Sequence, residues 1–257
     1  MAFVEEAFVG HRVAFVYHYP CLDGAYACLC ASLYFTKKFP SVVQRFVPFR
    51  VNDDSERDFT GEPLVIFLDI LPKAVLEAAM RQAELVVVVD HHLTNQKTLE
   101  EYKDEGEFPA NLFVQFDLEF SAAKLAYIRY ESVIQNDQLR IAVDYVEDYD
   151  LWRWGLPDTE AVICYMQDSF RKLDYNQNPE TLSLLASVDI EQARRLGERL
   201  HKARKMEIAA ELERGPKLIQ FPGYRKCLGL VTRKPHLKSH VKPMQLGNEL
   251  AILSQAQ

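Results

Sequence analysis

The sequence has little cysteine and no excess of positive charge, and each shortage excludes a class of protein. Among its 257 residues are five cysteines, at positions 21, 28, 30, 164 and 227. The odd count and the lack of any Cys-x-x-Cys pair fit no complete disulfide framework, so we expect reduced thiols in a cytoplasmic setting. The formal net charge of −7 argues against a general binder of the nucleic-acid backbone, which usually carries a strongly basic face.

A long uninterrupted hydrophobic run is also missing. The most apolar N-terminal stretch, Val13 to Phe35, contains His18 and Asp23, and the acidic pair Glu5 and Glu6 precedes it. A secretory signal would begin with positive charge, and a membrane span would carry few or no charges. The sequence therefore predicts neither an export signal nor a contact with membrane.

What the sequence does contain is an alternation of short apolar runs with segments of helical periodicity. Four runs are predicted as strands: Arg12–Tyr17, Val42–Phe49, Leu64–Asp69 and Leu85–Val89. The predicted helices are Ala25–Lys38, a segment capped by Ser121, Leu139–Tyr149 and Ile190–Arg214. The consecutive valines before Asp90 suit a strand buried on both faces of a parallel sheet. We therefore predict an α/β fold, a mostly parallel sheet flanked by helices, followed by helices and a small β-containing C-terminal portion.

Polar residues follow three of the four predicted strands. His18 and Asp23 come after the first, Asp69 ends the third, and Asp90-His91-His92 ends the fourth. Each alone has a structural explanation, since Asp23 precedes a glycine in a turn-like pair and Asp69 lies where a helix cap would stand. Ligands of open α/β sheets bind at the carboxyl ends of the strands, and imidazole with carboxylate suits a borderline divalent metal such as manganese. Their joint occurrence favours a metal site.

In its order and spacing of motifs, the sequence resembles the DHH phosphoesterases over about residues 11 to 155. Asp90-His91-His92 after a valine-rich strand resembles the defining motif of that family. Three further segments resemble its other motifs: Tyr17–Gly24, Phe67–Asp69 and Glu147–Trp152. The superfamily includes RecJ-type exonucleases, nanoRNases, cyclic-dinucleotide phosphodiesterases, exopolyphosphatases and family II pyrophosphatases. The resemblance implies a phosphoric ester hydrolase.

The resemblance also implies two divalent metal ions, with manganese favoured over magnesium and cobalt. It implies five metal ligands. His18 and Asp23 would bind one ion, Asp69 would bridge both ions, and His91 and Asp148 would bind the other. Of the catalytic residues it implies, His92 would face the substrate phosphate and Asp90 would orient a histidine. Asp150 is expected either to hydrogen-bond a metal ligand or only to cap a helix or form a salt bridge. Trp152 and Trp154 are expected in the core.

The implied substrate is a small phosphodiester or phosphomonoester, such as a short oligonucleotide or a nucleotide phosphate, cleaved by a metal-activated water. A pyrophosphate or polyphosphate hydrolase and a catalytically weak nucleotide-binding or scaffold relative remain alternatives. A homodimer is among the assemblies that the resemblance allows.

We predict a DHH domain over residues 1–188, a connecting helix over 189–215 and a DHH-associated domain over 216–257. With only 10 glycines and no Gly-Gly pair, that last part is either truncated or divergent, since relatives usually carry a Gly-Gly-His motif there. Arg225 and Lys226 are its predicted substrate-binding residues, in a basic stretch that is equally explained as a solvated surface.

Overall fold

The centre of the fold is a five-stranded, all-parallel sheet with the order β2-β1-β3-β4-β5. The computed structural model describes residues 12–51, 53, 55–104, 109–219, 227–229, 247 and 250–251. The strands are β1 Arg12–His18, β2 Val43–Phe49, β3 Leu64–Leu68, β4 Leu85–Asp90 and β5 Leu112–Phe116. The predicted α/β architecture is confirmed.

Helices connect the strands and then continue the chain. They are α1 Leu22–Lys38, α2 Lys73–Gln82, α3 Leu93–Asp104, α4 Ala122–Ile134, α5 Asp137–Asp150, α6 Thr159–Ser169, α7 Glu180–Ala186 and α8 Ile190–Leu212. Ser121 caps α4 as predicted, because its side chain accepts a hydrogen bond from the Lys124 amide at 3.3 Å. Helix α8 packs on α6, and a Cβ at Gly197 would lie 1.8 Å from the carbonyl oxygen of Ala161. That close approach requires glycine.

The sheet separates two hydrophobic cores. Val87 and Val89 of β4 point into the core that contains α1 and α4, whereas Val86 and Val88 point into the core that contains α2 and α3. Every residue of β4 is buried, which explains its uninterrupted apolar run. Each buried valine stabilises the fold by roughly 2 kcal/mol.

The strand order reverses beside β1, and this reversal positions the functional site. The chain leaves β1 through α1 on one face of the sheet to reach β2, and β3, β4 and β5 are then joined through α2 and α3 on the other face. Where the connections that follow two neighbouring strands run over opposite faces of the sheet, the carboxyl ends of those two strands border an open crevice. Here those strands are β1 and β3.

Several features differ from, or extend, the prediction. The sheet has a fifth strand, β5, which the sequence did not indicate, and α1 begins at Leu22 rather than at Ala25. The predicted C-terminal strands appear as a short antiparallel pair, β6 Lys217–Ile219 and β7 Cys227–Gly229. The proposed domain boundaries stay predictions.

Within the described ranges, no helix combines the length and the apolar character that a membrane crossing needs.

Candidate metal centre

The carboxyl ends of β1, β3 and β4 bring His18, Asp69 and His91 to one edge of the sheet. Asp69 follows β3 directly and adopts a left-handed backbone conformation with φ of 65°, while its amide donates to the Val89 carbonyl at 3.0 Å. A non-glycine residue held in this region costs about 1 kcal/mol or more, and such strain is concentrated at functional sites. The turn directs the Asp69 carboxylate between His18 and His91.

Asp23 is placed by the tight junction of β1 with α1. A Cβ on Gly24 would lie 2.5 Å from the His18 carbonyl oxygen, so only glycine fits after Asp23. The two carboxylate oxygens of Asp23 accept hydrogen bonds from the amides of Ala122 and Ala123, both at 2.9 Å. Asp23 therefore lies at the positive N-terminal end of α4, where a buried negative charge is stabilised.

Three carboxylates converge on one ring nitrogen of His91. Its Nε2 lies 3.5 Å from Oδ2 of Asp23, 3.4 Å from Oδ1 of Asp69 and 3.4 Å from Oδ2 of Asp150. Among the described residues, Nε2 of His91 and Oδ1 of Asp69 are buried without a hydrogen-bond partner. Buried polar atoms are nearly always paired, so these two have the environment of metal ligands. The donor set fits a divalent cation.

A second group of potential ligands shares Asp69 with the first. Nδ1 of His18 lies 3.1 Å from Oδ2 of Asp69, and the ligand atoms of His18, Cys21 and Asp69 lie within 4.8 Å of one another. Burial, together with Asp69 and Asp23, raises the pKa of the Cys21 thiol. Asp69 thus has one oxygen near each group, which is the placement needed of a carboxylate shared between two cations.

Asp90 supports the site without facing it. Its Oδ1 accepts hydrogen bonds from the His91 amide, the His92 amide and Nδ1 of His92 at 2.6, 2.8 and 2.9 Å. Its Oδ2 accepts from Asn95 at 2.8 Å. The hydrogen bond to Asp90 raises the pKa of His92, so a positive charge on this half-exposed ring is favoured. Asp90 therefore fixes the orientation of His92.

The buried charges shift one another's protonation. Burial would lower the pKa of His91, but the three aspartates outweigh it and raise the value to about 9. Burial, followed by the charge of Asp69, raises the pKa of Asp150 to about 6 and also raises that of Asp23. Burial would raise the pKa of Asp69 as well, but His18 and His91 hold it below its usual range. Without a metal ion, the cluster favours a proton on His91 in the midst of the carboxylates.

Asp150, and not Asp148, joins the cluster. The Asp148 carboxylate accepts from the amides of Gly155 and Leu156 at 2.7 and 3.2 Å and from the Thr159 hydroxyl at 2.5 Å. Through these hydrogen bonds the Asp148 carboxylate holds the segment after α5 in place. The structure thus brings four of the five predicted ligands together and places Asp150 where the sequence pattern suggested Asp148.

Trp152 and Trp154 are not in the core, contrary to the prediction. They are 40% and 41% exposed, and their rings contact each other edge to face with centroids 5.5 Å apart. The helical spacing assumed in the prediction fails because α5 ends at Asp150, and both tryptophans have left-handed φ angles of 55° and 53°. The predicted substrate residues Arg225 and Lys226 lie outside the described residues.

A cavity of about 320 Å³ opens beside the cluster. His18, Asp69 and His92 line this cavity, together with Arg50 and Asn95. Sequence reasoning missed Arg50, which follows β2 directly. The rule that strand ends form the site, applied to β2 as well, identifies it.

No protein-family model and no curated protein matches the chain. A solved structure of RecJ from Thermus thermophilus in complex with Mn²⁺ is similar to it, with a TM-score of 0.44 and 14% sequence identity. The match covers 95% of this chain and 42% of that one, so the chain spans less than half the length of RecJ.

Proposed function

We propose that this protein is a metal-dependent phosphoesterase that hydrolyses a small phosphodiester or phosphomonoester, such as a short oligonucleotide or a nucleotide phosphate. The observation that carries the proposal is the convergence of Asp23, Asp69 and Asp150 on His91 at the carboxyl ends of parallel strands, with two buried ligand atoms unpaired. The ordered motifs that resemble those of DHH phosphoesterases support the same chemistry.

Two groups of residues would hold the metal ions. Asp23, His91 and Asp150 form one, His18 belongs to the other, and Asp69 is common to both. Divalent ions bound there would supply activation of a water molecule near neutral pH and neutralisation of phosphate charge. Carboxylate and imidazole ligands accept manganese, magnesium or cobalt, and manganese is our leading choice from the family resemblance.

The substrate would enter through the cavity, whose size suits a nucleotide or a short phosphate chain. Arg50 would pair with phosphate from one wall, since a guanidinium matches the geometry of phosphate oxygens. His92, held through Nδ1 by Asp90, would donate from Nε2 to a non-bridging oxygen and offset the charge that builds up there. Thr94, in the first turn of α3, adds the positive end of a helix to the same cavity.

The proposal is tested by product release from a substrate panel with manganese. The panel contains a diribonucleotide, phosphoadenosine phosphate, a cyclic dinucleotide, pyrophosphate and a short polyphosphate. We expect turnover by wild type, loss of turnover in Asp69→Asn, and retention in Asp144→Asn, a control on α5 whose carboxylate pairs with Lys124. Preference for pyrophosphate or polyphosphate would favour the phosphoanhydride alternative. Absence of turnover in folded, metal-loaded wild type would refute an independent enzyme.

A further inference from the structure

Cys21 lies beside the candidate metal centre, and neither the resemblance nor the proposed function gives it a role. Its sulfur belongs to the group in which the ligand atoms of His18, Cys21 and Asp69 lie within 4.8 Å of one another. Cys28, Cys30 and Cys164 are buried, whereas Cys21 is only partly so. Among these four thiols, Cys21 therefore combines accessibility with two neighbours capable of binding metal.

The backbone explains why this thiol faces the centre. Cys21 is the N-cap of α1, with extended φ and ψ of −136° and 141°, yet its side chain makes no capping hydrogen bond. Its carbonyl starts the helix by accepting from the Ala25 amide at 3.1 Å. The main chain therefore fixes the residue, while the sulfur remains directed towards His18 and Asp69.

A second observation concerns Asp69, the buried carboxylate that lies between the two groups of potential ligands. Asp69 is 2% exposed, and its Oδ1 is buried without a hydrogen-bond partner among the described residues. Its other oxygen lies 3.1 Å from His18. A charge this deeply buried is stabilised by a cation. Because Oδ1 faces His91 of the other group, at 3.4 Å from its Nε2, Oδ2 is the oxygen available to an ion beside His18 and Cys21.

We propose that Cys21 is a thiolate ligand of the ion held by His18 and Asp69, so that the two ions of the centre have different donor sets. The thiol proton leaves to solvent as the sulfur binds the ion. Sulfur, nitrogen and oxygen donors together favour Zn²⁺, Co²⁺ or Fe²⁺ over Mg²⁺, because thiolate is a softer ligand than carboxylate. The other group, with His91 and three carboxylates, keeps the preference for harder ions. This inference rests on the proposed metal centre and adds the selectivity of one of its sites.

The test is a titration of metal-free protein with Co²⁺, followed by absorption spectroscopy. A thiolate bound to Co²⁺ gives a charge-transfer band in the near ultraviolet that imidazole and carboxylate do not give. We expect the band in wild type, its loss in Cys21→Ser, and its retention in Cys164→Ala. Cys164 is the control because its sulfur lies 3.9 Å from Nδ1 of His201, the alternative thiol–imidazole pair.

A second variant keeps the test independent of folding defects. Cys21→Asp replaces sulfur by oxygen while preserving a ligand, and we expect its preference for Co²⁺ over Mn²⁺ to fall by about tenfold or more. A wild type without the band, or a band that survives in Cys21→Ser, would overturn the assignment of Cys21. Manganese-dependent turnover would still support the proposed function in that case, whereas failure to bind any divalent ion would overturn both.

Discussion

Metal binding should displace protons from the centre, and the amount follows from the residues around His91. With a pKa of about 9, His91 is protonated in about 99 of 100 metal-free molecules at pH 7. Asp150, with a pKa of about 6, contributes roughly a further 0.1 proton. A metal ligand must lose its proton, so we expect release of at least about one proton per protein at pH 7. The raised pKa of Asp23 acts in the same direction.

The sign of the pH dependence follows from the same competition. Protons and metal ions compete for His91, so the apparent metal affinity should rise by about tenfold per pH unit between pH 7 and pH 8. Calorimetric titrations with Mn²⁺ in buffers of different ionisation enthalpy measure the protons released. His91→Gln should remove about one proton from that count, whereas His201→Gln should leave it unchanged. Proton release near zero in wild type at pH 7 would refute the reasoning, because it would mean that His91 is neutral among three carboxylates.

Further substitutions test the position of each group. Asp150→Asn should weaken metal binding by about 10–100-fold in a Mn²⁺ titration, whereas Asp148→Asn should cost about 2 kcal/mol in denaturant unfolding and keep the metal affinity. The opposite result would restore Asp148 as the ligand. Gly24→Ala should lower the free energy of unfolding by about 1–3 kcal/mol, because its methyl group would clash with the His18 backbone. Arg50→Ala should raise KM more than it lowers kcat in steady-state assays, and an unchanged KM would exclude Arg50 from the substrate site.

The sequence predicted the central strands well, because burial on both faces leaves a clear pattern. The valines of β4 are apolar without interruption, and β1 and β3 are almost equally so. Strand β5 was missed because it is short, lies at the sheet edge and is buried fully only at Leu112. An edge strand of this kind lacks both the continuous run of a central strand and a clean alternation.

The candidate ligands likewise divide into those that the sequence predicted and one that it missed. Strand ends meet at one edge of a parallel sheet, so His18, Asp69 and His91 could be brought together by topology alone. Asp148 and Asp150 are two residues apart on one helix, and about 200° of rotation separates their side chains. Which of them faces His91 depends on the rotation of α5 against the sheet, and the choice of Asp148 came from the resemblance to the family motif and took no account of that rotation.

The attachment of Asp23 to α4 has a consequence for synthesis on the ribosome. The Asp23 carboxylate of the candidate metal centre is held by amides 99 and 100 residues further along the chain. A nascent chain that has emerged only as far as α3 contains His18, Asp69 and His91 but neither those amides nor Asp150. Because chains emerge from the N-terminus first, the ligands gather only after α5 has been made. A partly synthesised chain would therefore lack an assembled candidate metal centre.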